Sequence, residues 1–235
     1  MKDTVSVFDA VLILGDGRVI NASLLGKAFV HPENALFENT GYIREQLESA
    51  ADANNKGLAN WFLVYHSGRS PKEILNKRFE NLEFGFGEKN RFDKNHWFSH
   101  SNESFWIEKH EKSGYYLLNF IGEENEFREL RFESITFSEQ EKRIKLLLGK
   151  ERAPLNIVME AVFAIYDTYD ILSLKHWHHL SSTRSNDGSL IYIGGTCSQA
   201  SGEKMMNIFM FPKEQENDAK NYYGFGTVLL MKKFE

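Results

Sequence analysis

A nine-residue segment in the C-terminal half constrains the fold of this chain most. Residues 157–165 are Ile-Val-Met-Glu-Ala-Val-Phe-Ala-Ile, so every position except Glu160 is apolar. A helix that is apolar on nearly every side is normally buried. A buried carboxylate needs a specific partner or must take up a proton. We therefore expect a buried central helix and a paired Glu160, with Arg152, Arg184 or a histidine of residues 176–179 as its partner.

A second interpretation places Glu160 on a narrow hydrated stripe of the same helix. Asn156 lies four residues before it and Asp167 seven residues after it, and these spacings return to one face of a helix. In that case the three polar side chains would contact water, and Glu160 would need no partner.

The central helix and one other helix have recognisable start or stop signals. Ser138 and Glu141 have the spacing of a capping box ahead of the apolar residues Ile144, Leu146, Leu147 and Leu148, and Gly149 follows where a helix would end. Pro154 suits the first turn of the helix that continues over residues 155–172. Apolar residues at helical spacing predict a further helix over residues 41–55.

Strands are predicted where β-branched and aromatic residues cluster between turn residues. Asp16-Gly17 would close a hairpin after the strand at residues 5–14, and residues 105–107 would pair with residues 115–121. The remaining predicted strands are 61–65, 190–193, 205–211 and 227–231. Strict alternation of strands and helices is missing, so we predict an α+β fold: a mostly antiparallel sheet with two or three helices packed on it.

The chain divides into two subregions by its predicted elements. Residues 1–122 would form a variable N-terminal subregion of strands and one helix, and residues 123–235 a C-terminal subregion with a helical pair and strands. No segment rich in proline, glycine and serine separates them. We therefore expect one compact domain.

Charge and composition exclude several classes of function. The formal net charge is −5 and the pI is near 5.9, which disfavours broad binding of duplex nucleic acid. Cys197 is the single cysteine, so no internal disulfide is possible and a reducing, cytoplasmic location is expected. The longest apolar run, residues 161–166, is far shorter than the roughly 20 residues of a membrane span, and the N terminus lacks the features of a signal peptide.

Residues 114–234, about half of the chain, contain Gly114-Tyr115-Tyr116-Leu117, the helix around residues 159–163, His176-Trp177-His178, the serine-rich turn ending at Asp187-Gly188, and Lys233-Phe234. These features resemble a group of uncharacterised hypothetical bacterial proteins. The resemblance implies that residues 114–235 form a recurring module. It implies no activity, ligand or catalytic residue.

The densest group of potential metal ligands is His176-Trp177-His178-His179. On a strand, His176 and His178 would share one face, whereas on a helical turn His176 and His179 would. Carboxylates from Glu160 or Asp187 could complete a transition-metal site, but the spacing matches no standard zinc motif. We expect no metal here, with Trp177 packed and the histidines bonded to backbone or solvent.

His66 ends a predicted strand in Tyr65-His66-Ser67-Gly68 and has two alternative interpretations. A pair with Cys197 would resemble the Cys–His dyad of caspase-like peptidases. The string, followed by Gly85-Phe86-Gly87 and Trp97-Phe98-Ser99, is also loosely similar to the motif order of ADP-ribosyltransferases. That resemblance implies a histidine gripping nicotinamide ribose and a supporting glutamate, for which Glu129 and Glu133 are candidates.

Aromatic residues interleave with cations over residues 77–106, a composition typical of surfaces that stack sugars or single-stranded nucleic acid. The alternative is that these rings are buried. The ligand-binding candidates are Trp97, Trp106, Trp177, Arg184 and Asp187. No dinucleotide fingerprint or P-loop is present, so we expect no cofactor.

No complete catalytic constellation can be assembled from neighbouring motifs. The sequence therefore favours a cytoplasmic, non-enzymatic recognition or interaction module whose partner is a protein or a small molecule. The alternative is an enzyme, either a metal-dependent hydrolase or ADP-ribosyltransferase-like, with a pocket built from Glu160 and residues 176–179. Its catalytic candidates are Glu160, His176, His178 and His66.

Overall fold

The computed structural model of the chain describes residues 3–20, 37–80, 102–109, 111–120, 136–147, 149–169, 178–197, 204–216, 218 and 225–234. The helices in these residues are α1 (Val7–Leu14), α2 (Arg44–Asn55), α3 (Pro71–Glu80), α4 (Ser104–Ile107), α5 (Phe137–Leu146) and α6 (Leu155–Tyr169). The strands are β1 (Thr4–Ser6), β2 (Val19–Ile20), β3 (Asn39–Ile43), β4 (Trp61–His66), β5 (Gly114–Phe120), β6 (Lys150–Arg152), β7 (His178–Arg184), β8 (Leu190–Cys197), β9 (Lys204–Phe211) and β10 (Phe225–Met231).

Eight of these strands form one sheet in the order β2-β4-β5-β10-β7-β8-β9, with β6 also paired to β10. The pairs β2–β4 and β10–β7 are parallel, and the other pairs of this sheet are antiparallel. Strands β1 and β3 form a separate antiparallel pair. The predicted α+β class is confirmed, with a sheet that is mostly antiparallel but partly mixed.

Strand β10 joins the two halves of this sheet. Val228 lies opposite Phe120 of β5, Leu229 opposite Arg152 of β6, and Thr227 opposite Leu180 of β7. The prediction that residues 227–231 belong to the sheet is confirmed. Strands from before and after residue 122 therefore share one hydrogen-bonded sheet.

Helices cover both faces of the sheet at β4 and β5. Successive side chains of a strand point to opposite faces. Phe62 and Val64 accordingly belong to the apolar cluster that contains α6, while Trp61 and Leu63 belong to the cluster that contains residues of α1 and α2. His66 is two residues beyond Val64, so its side chain lies on the α6 face.

Helix α6 is the buried central helix that the sequence predicts. Its residues from Leu155 to Ile165 are all at most 2% exposed. Its first turn is fixed by the backbone N–H of Leu155, which donates to the Thr183 hydroxyl at 3.0 Å. The predicted residues 170–172 of this helix lie outside the described residues.

The predicted strand at residues 5–14 is wrong, because most of it is helix α1. Ser6 caps this helix by accepting a hydrogen bond from the Asp9 N–H at 3.1 Å. The buried residues Val7, Ala10 and Leu14 follow helical spacing. The predicted hairpin at Asp16-Gly17 is also wrong, since residues 16–18 form a 3-10 turn and β2 runs parallel to β4.

The predicted hairpin between residues 105–107 and 115–121 is wrong in its first arm. Phe105 and Trp106 lie in the short helix α4, and both are buried. The second arm is β5, and its antiparallel partners are β4 and β10.

Helix α5 is confirmed, but Thr136 rather than Ser138 caps it. Strand β7, at the edge of the histidine run, was not predicted.

No helix in the described part of the chain combines the length and the apolar character that a membrane crossing requires.

Candidate functional site

His66 and Glu160 form a buried pair at the end of β4. The Nδ1 atom of His66 lies 2.5 Å from Oε2 of Glu160, and each side chain is 1% exposed. Glu160 is therefore buried and paired, as expected, and the hydrated-stripe interpretation is wrong. Its partner is His66 rather than Arg152, Arg184 or residues 176–179. Of the four catalytic candidates, the structure brings together these two.

Two neighbours complete the hydrogen bonds of this pair. The backbone N–H of Ser67 donates to the same Glu160 oxygen at 2.8 Å. Asn156, one helical turn before Glu160, places its amide nitrogen 3.2 Å from Nε2 of His66 and 3.4 Å from the Arg69 carbonyl oxygen. Helix α6 and the chain after β4 are thus joined by a polar network within an otherwise apolar region.

This network assigns the tautomer of His66. The Asn156 amide nitrogen donates to the Arg69 carbonyl and to Nε2, so Nε2 acts as an acceptor. Nδ1 then carries the proton and donates it to the Glu160 carboxylate. A carboxylate that accepts from Nδ1 fixes both the tautomer and the orientation of an imidazole. The imidazole of His66 is therefore neutral, with a hydrogen-bond partner at each ring nitrogen.

The ring of His66 also packs against an aromatic neighbour. It stands edge-to-face on Tyr116 of β5, with ring centroids 5.8 Å apart. The Tyr116 hydroxyl donates to the Lys112 carbonyl at 2.8 Å, and burial raises the pKa of Tyr116 to about 12. Tyr116 thus supports His66 as a neutral, apolar contact.

The loop after His66 is the side of the site nearest to solvent. Ser67, Gly68 and Arg69 are half-buried, and Nη1 of Arg69 lies 4.0 Å from Oε1 of Glu160. Gly68 has a φ of +75°, and a Cβ at this position would lie 2.9 Å from the Ser113 backbone nitrogen. Only glycine therefore fits this turn without displacing the neighbouring backbone.

A reciprocal capping box fixes the far end of that loop. The Ser70 N–H donates to Glu73 at 2.9 Å, and the Glu73 N–H donates to the Ser70 hydroxyl at 3.3 Å. Lys109 pairs with the other Glu73 oxygen at 2.9 Å. Burial works against the charged carboxyl, but the hydrogen bonds from Ser70 and the contact with Lys109 outweigh it and lower the pKa of Glu73. Helix α3 is anchored directly after the site.

Three oxygen atoms of this cluster are buried without a hydrogen-bond partner among the described residues. They are Oγ of Ser67, Oδ1 of Asn156 and Oε1 of Glu160. Buried polar atoms are almost always hydrogen-bonded, so such groups need an explanation such as a bound molecule or water. We call His66, Ser67, Arg69, Asn156 and Glu160 the His66–Glu160 site.

His178 and His179 do not join this site. His179 lies opposite Ile193, which packs with α6, whereas His178 lies opposite Gly194 and points to the other face of the sheet. There the His178 ring contacts Tyr192 and Phe209 at centroid distances of 5.2 and 5.9 Å. Burial lowers the pKa of His178.

The geometry of β7 also bears on metal binding. His178 and His179 are consecutive in a strand, so their side chains leave opposite faces of the sheet. Among the described residues, no three histidine, cysteine, aspartate or glutamate side chains converge as a metal site requires. His176 and Trp177 lie outside the described residues.

Two of the predicted ligand-binding residues lie near the end of β7. Arg184 pairs with Glu216 at 2.6 Å and lines two cavities of about 250 and 430 Å³. Asp187 accepts hydrogen bonds from the Ser185 hydroxyl and the Ser189 N–H. These bonds, that of the Ser185 side chain first, lower the pKa of Asp187 to about 2. Asp187 therefore organises a turn, while Arg184 borders the two cavities with its guanidinium paired to Glu216.

The other candidates are buried in the core, lie on a remote strand or fall outside the described residues. Trp106 is fully buried in the core. Cys197 ends β8, four strand spacings of about 4.8 Å from β4, so the structure does not form the Cys197–His66 dyad. Outside the described residues lie Trp97, Glu129, Glu133 and residues 85–87 and 97–99.

Sequence reasoning missed Ser67, Arg69 and the role of Asn156. One signal was available: Ser70-Pro71-Lys72-Glu73 has capping-box spacing directly after the predicted strand, so the loop before α3 could be located. The spacing of Asn156 and Glu160 was noticed, but the residue facing them depends on the sheet order. Distant pairing of this kind has no local signature.

Comparison with protein-family models, with curated proteins and with solved structures finds no match.

Proposed function

We propose that this chain is a cytoplasmic recognition module that binds a small polar ligand at the His66–Glu160 site. The observation that carries the proposal is the group of three buried oxygens, on Ser67, Asn156 and Glu160, that lack partners among the described residues. Leaving such an atom unsatisfied costs about 1–3 kcal/mol. Their concentration around one held histidine supports a site whose hydrogen bonds are completed by a bound molecule.

Recognition is favoured over catalysis by what faces His66. In nucleophilic hydrolases, Nε2 of the imidazole faces a hydroxyl or thiol that it deprotonates. Here Nε2 accepts from the Asn156 amide, which is neither a nucleophile nor a proton donor in such reactions. The hydrogen bonds at Nδ1 and Nε2 orient the imidazole, and an oriented polar side chain suits a binding site.

A matched series of small probes tests the proposal. Acetamide, acetamidinium and acetate have nearly the same shape and differ in charge and in hydrogen-bond donors. At least one of them should raise the melting temperature of the protein, and the effect should be lost in Ser67→Ala. Ser138→Ala is the matched control, since Ser138 is exposed on α5. If none of the three stabilises the protein, the proposal fails.

A second candidate function is favoured by the 2.5 Å contact between His66 and Glu160. A carboxylate-held imidazole is a common general acid–base unit, and a substrate that displaced the Asn156 amide would reach Nε2. The test is incubation with a defined mixture of nucleotides, amino acids and sugars, followed by mass spectrometry. Conversion that is lost in His66→Gln would support an enzyme, and an unchanged mixture would count against it.

A further inference from the structure

The chemical class of the ligand follows from the atoms that the His66–Glu160 site leaves without partners, and this inference rests on the proposed function. All three atoms are oxygens, and Nη1 of Arg69, which can only donate, is buried beside them, 4.0 Å from Oε1 of Glu160. The amide oxygen of Asn156 and the carboxylate oxygen of Glu160 can only accept hydrogen bonds, while the Ser67 hydroxyl can accept or donate. A complementary ligand must therefore present at least two N–H or O–H donors. A carboxylate or phosphate group brings acceptors alone: it could accept from Arg69 and Ser67 but would leave the Asn156 and Glu160 oxygens without donors.

The charge of the site limits the ligand further. His66 and Ser67 both donate their hydrogen bonds to Oε2 of Glu160. Oε1 therefore accepts neither of these bonds. The hydrogen-bond pattern makes His66 neutral. The negative charge of Glu160 is offset by the Arg69 guanidinium, whose Nη1 lies 4.0 Å from Oε1. The cluster thus sums to a charge near zero.

A ligand with a net charge would pair with either Glu160 or Arg69 and leave the other charge uncompensated. Removing an ion from water is expensive unless an opposite charge compensates it. An uncharged group with N–H donors keeps the balance and completes the hydrogen bonds. Its carbonyl oxygen can accept from the Ser67 hydroxyl at the same time. We infer that the His66–Glu160 site takes an uncharged primary-amide group of a small molecule.

Access for such a group lies at the loop of residues 67–69. His66, Asn156 and Glu160 are buried, whereas the Arg69 side chain is 26% exposed. Because Oε1 is itself buried, the amide would reach it by displacing the Arg69 side chain, with the rest of the ligand toward solvent. This position makes Arg69 the residue that sets the preferred ligand charge.

The isosteric probes distinguish this inference from the broader proposal. With the wild-type protein, isothermal titration calorimetry should give a dissociation constant for acetamide that is at least about tenfold lower than those for acetamidinium and acetate. Binding of acetamide should be lost in Ser67→Ala and unchanged in Ser138→Ala. Tighter binding of acetamidinium or acetate would overturn the amide inference while leaving a polar-ligand site. Absence of binding by all three would overturn both.

Substitution of Arg69 gives a second, charge-specific measurement. Arg69→Gln leaves Glu160 as the sole charge of the site, so the preference should change from acetamide to acetamidinium. Lys72→Gln, at the exposed start of α3, is the control and should keep the wild-type order. If Arg69→Gln also keeps the wild-type order, the charge balance does not select the ligand and the inference is wrong.

Discussion

Nδ1 of His66 and Oε2 of Glu160 are 2.5 Å apart, although 94 residues separate them in the chain. The contact joins the end of β4 to helix α6 in a region where both side chains are excluded from water. Its neighbours Asn156 and Ser67 bond to opposite sides of the same pair. A polar site is therefore built into the apolar interface between the sheet and its central helix.

Replacing Glu160 with Gln should destabilise the protein by about 1–3 kcal/mol, because the buried Nδ1–H of His66 and the Ser67 N–H lose a charged acceptor. The free energy of unfolding in urea measures this. Glu48→Gln is the control, since that side chain is 56% exposed and lies 3.9 Å from Arg44, and surface changes of this kind stay within about 0.5 kcal/mol. Equal stability of the two variants would contradict a structural pairing of His66 and Glu160.

Gly68→Ala should cost more than an ordinary glycine substitution at positive φ. The new Cβ would lie 2.9 Å from the Ser113 nitrogen, whereas at Gly57, with φ +69°, it would meet nothing within 4 Å. Gly57→Ala should cost only the backbone penalty of about 1–2 kcal/mol. Thermal unfolding of both variants measures the difference. The described packing of the loop against Ser113 would be wrong if their melting temperatures fell equally.

Tyr42→Phe should reveal how the N-terminal elements are attached to the sheet. The buried Tyr42 hydroxyl donates to the Met231 carbonyl and accepts from the Leu117 N–H, each at 2.9 Å. The variant leaves both backbone groups buried and unsatisfied, which should cost about 1–3 kcal/mol. Tyr116→Phe loses one hydrogen bond, to Lys112, and should cost less. The reverse order in urea denaturation would refute this role of Tyr42.

His178 should make stability depend on pH. Burial lowers its pKa in the folded protein below the ordinary value of 6.5. As pH falls through that value, the unfolded chain binds a proton before the folded one does, so the free energy of unfolding decreases. His178→Phe removes this proton linkage. The loss of stability between about pH 7.5 and pH 5 should therefore be smaller in the variant, and an identical loss in urea denaturation would show that His178 is not linked to folding.

Local patterns of the sequence predicted the elements near the site better than the contacts within it. The all-round apolar character of residues 157–165 correctly indicated a buried helix and a paired Glu160. The strand ending at His66 was also predicted. The pairing of the two was not, because it depends on β4, β5 and α6 meeting across the sheet, and single-chain periodicity contains no information on sheet order.

Errors occurred where two local signals competed. Residues 5–14 are rich in β-branched and aliphatic side chains, yet Ser6 and Asp9 form a helix cap, and the buried residues Val7, Ala10 and Leu14 have helical spacing. Phe105 and Trp106 are strand-forming by type, but both are buried in a single helical turn. Tertiary burial decided both cases over intrinsic propensity.

Histidine side-chain nitrogen spectra test the central claim most directly, because the chain has eight histidines and each reports its own tautomer and hydrogen bonds. With uniformly ¹⁵N-labelled protein, assigned by comparison with His66→Gln, His66 should show a protonated Nδ1 and an unprotonated Nε2. Titration with acetamide should shift these two resonances and leave those of His178 unchanged. A His66 signal that does not respond to acetamide, or that shows the opposite tautomer, would contradict a ligand site built on His66 and Glu160.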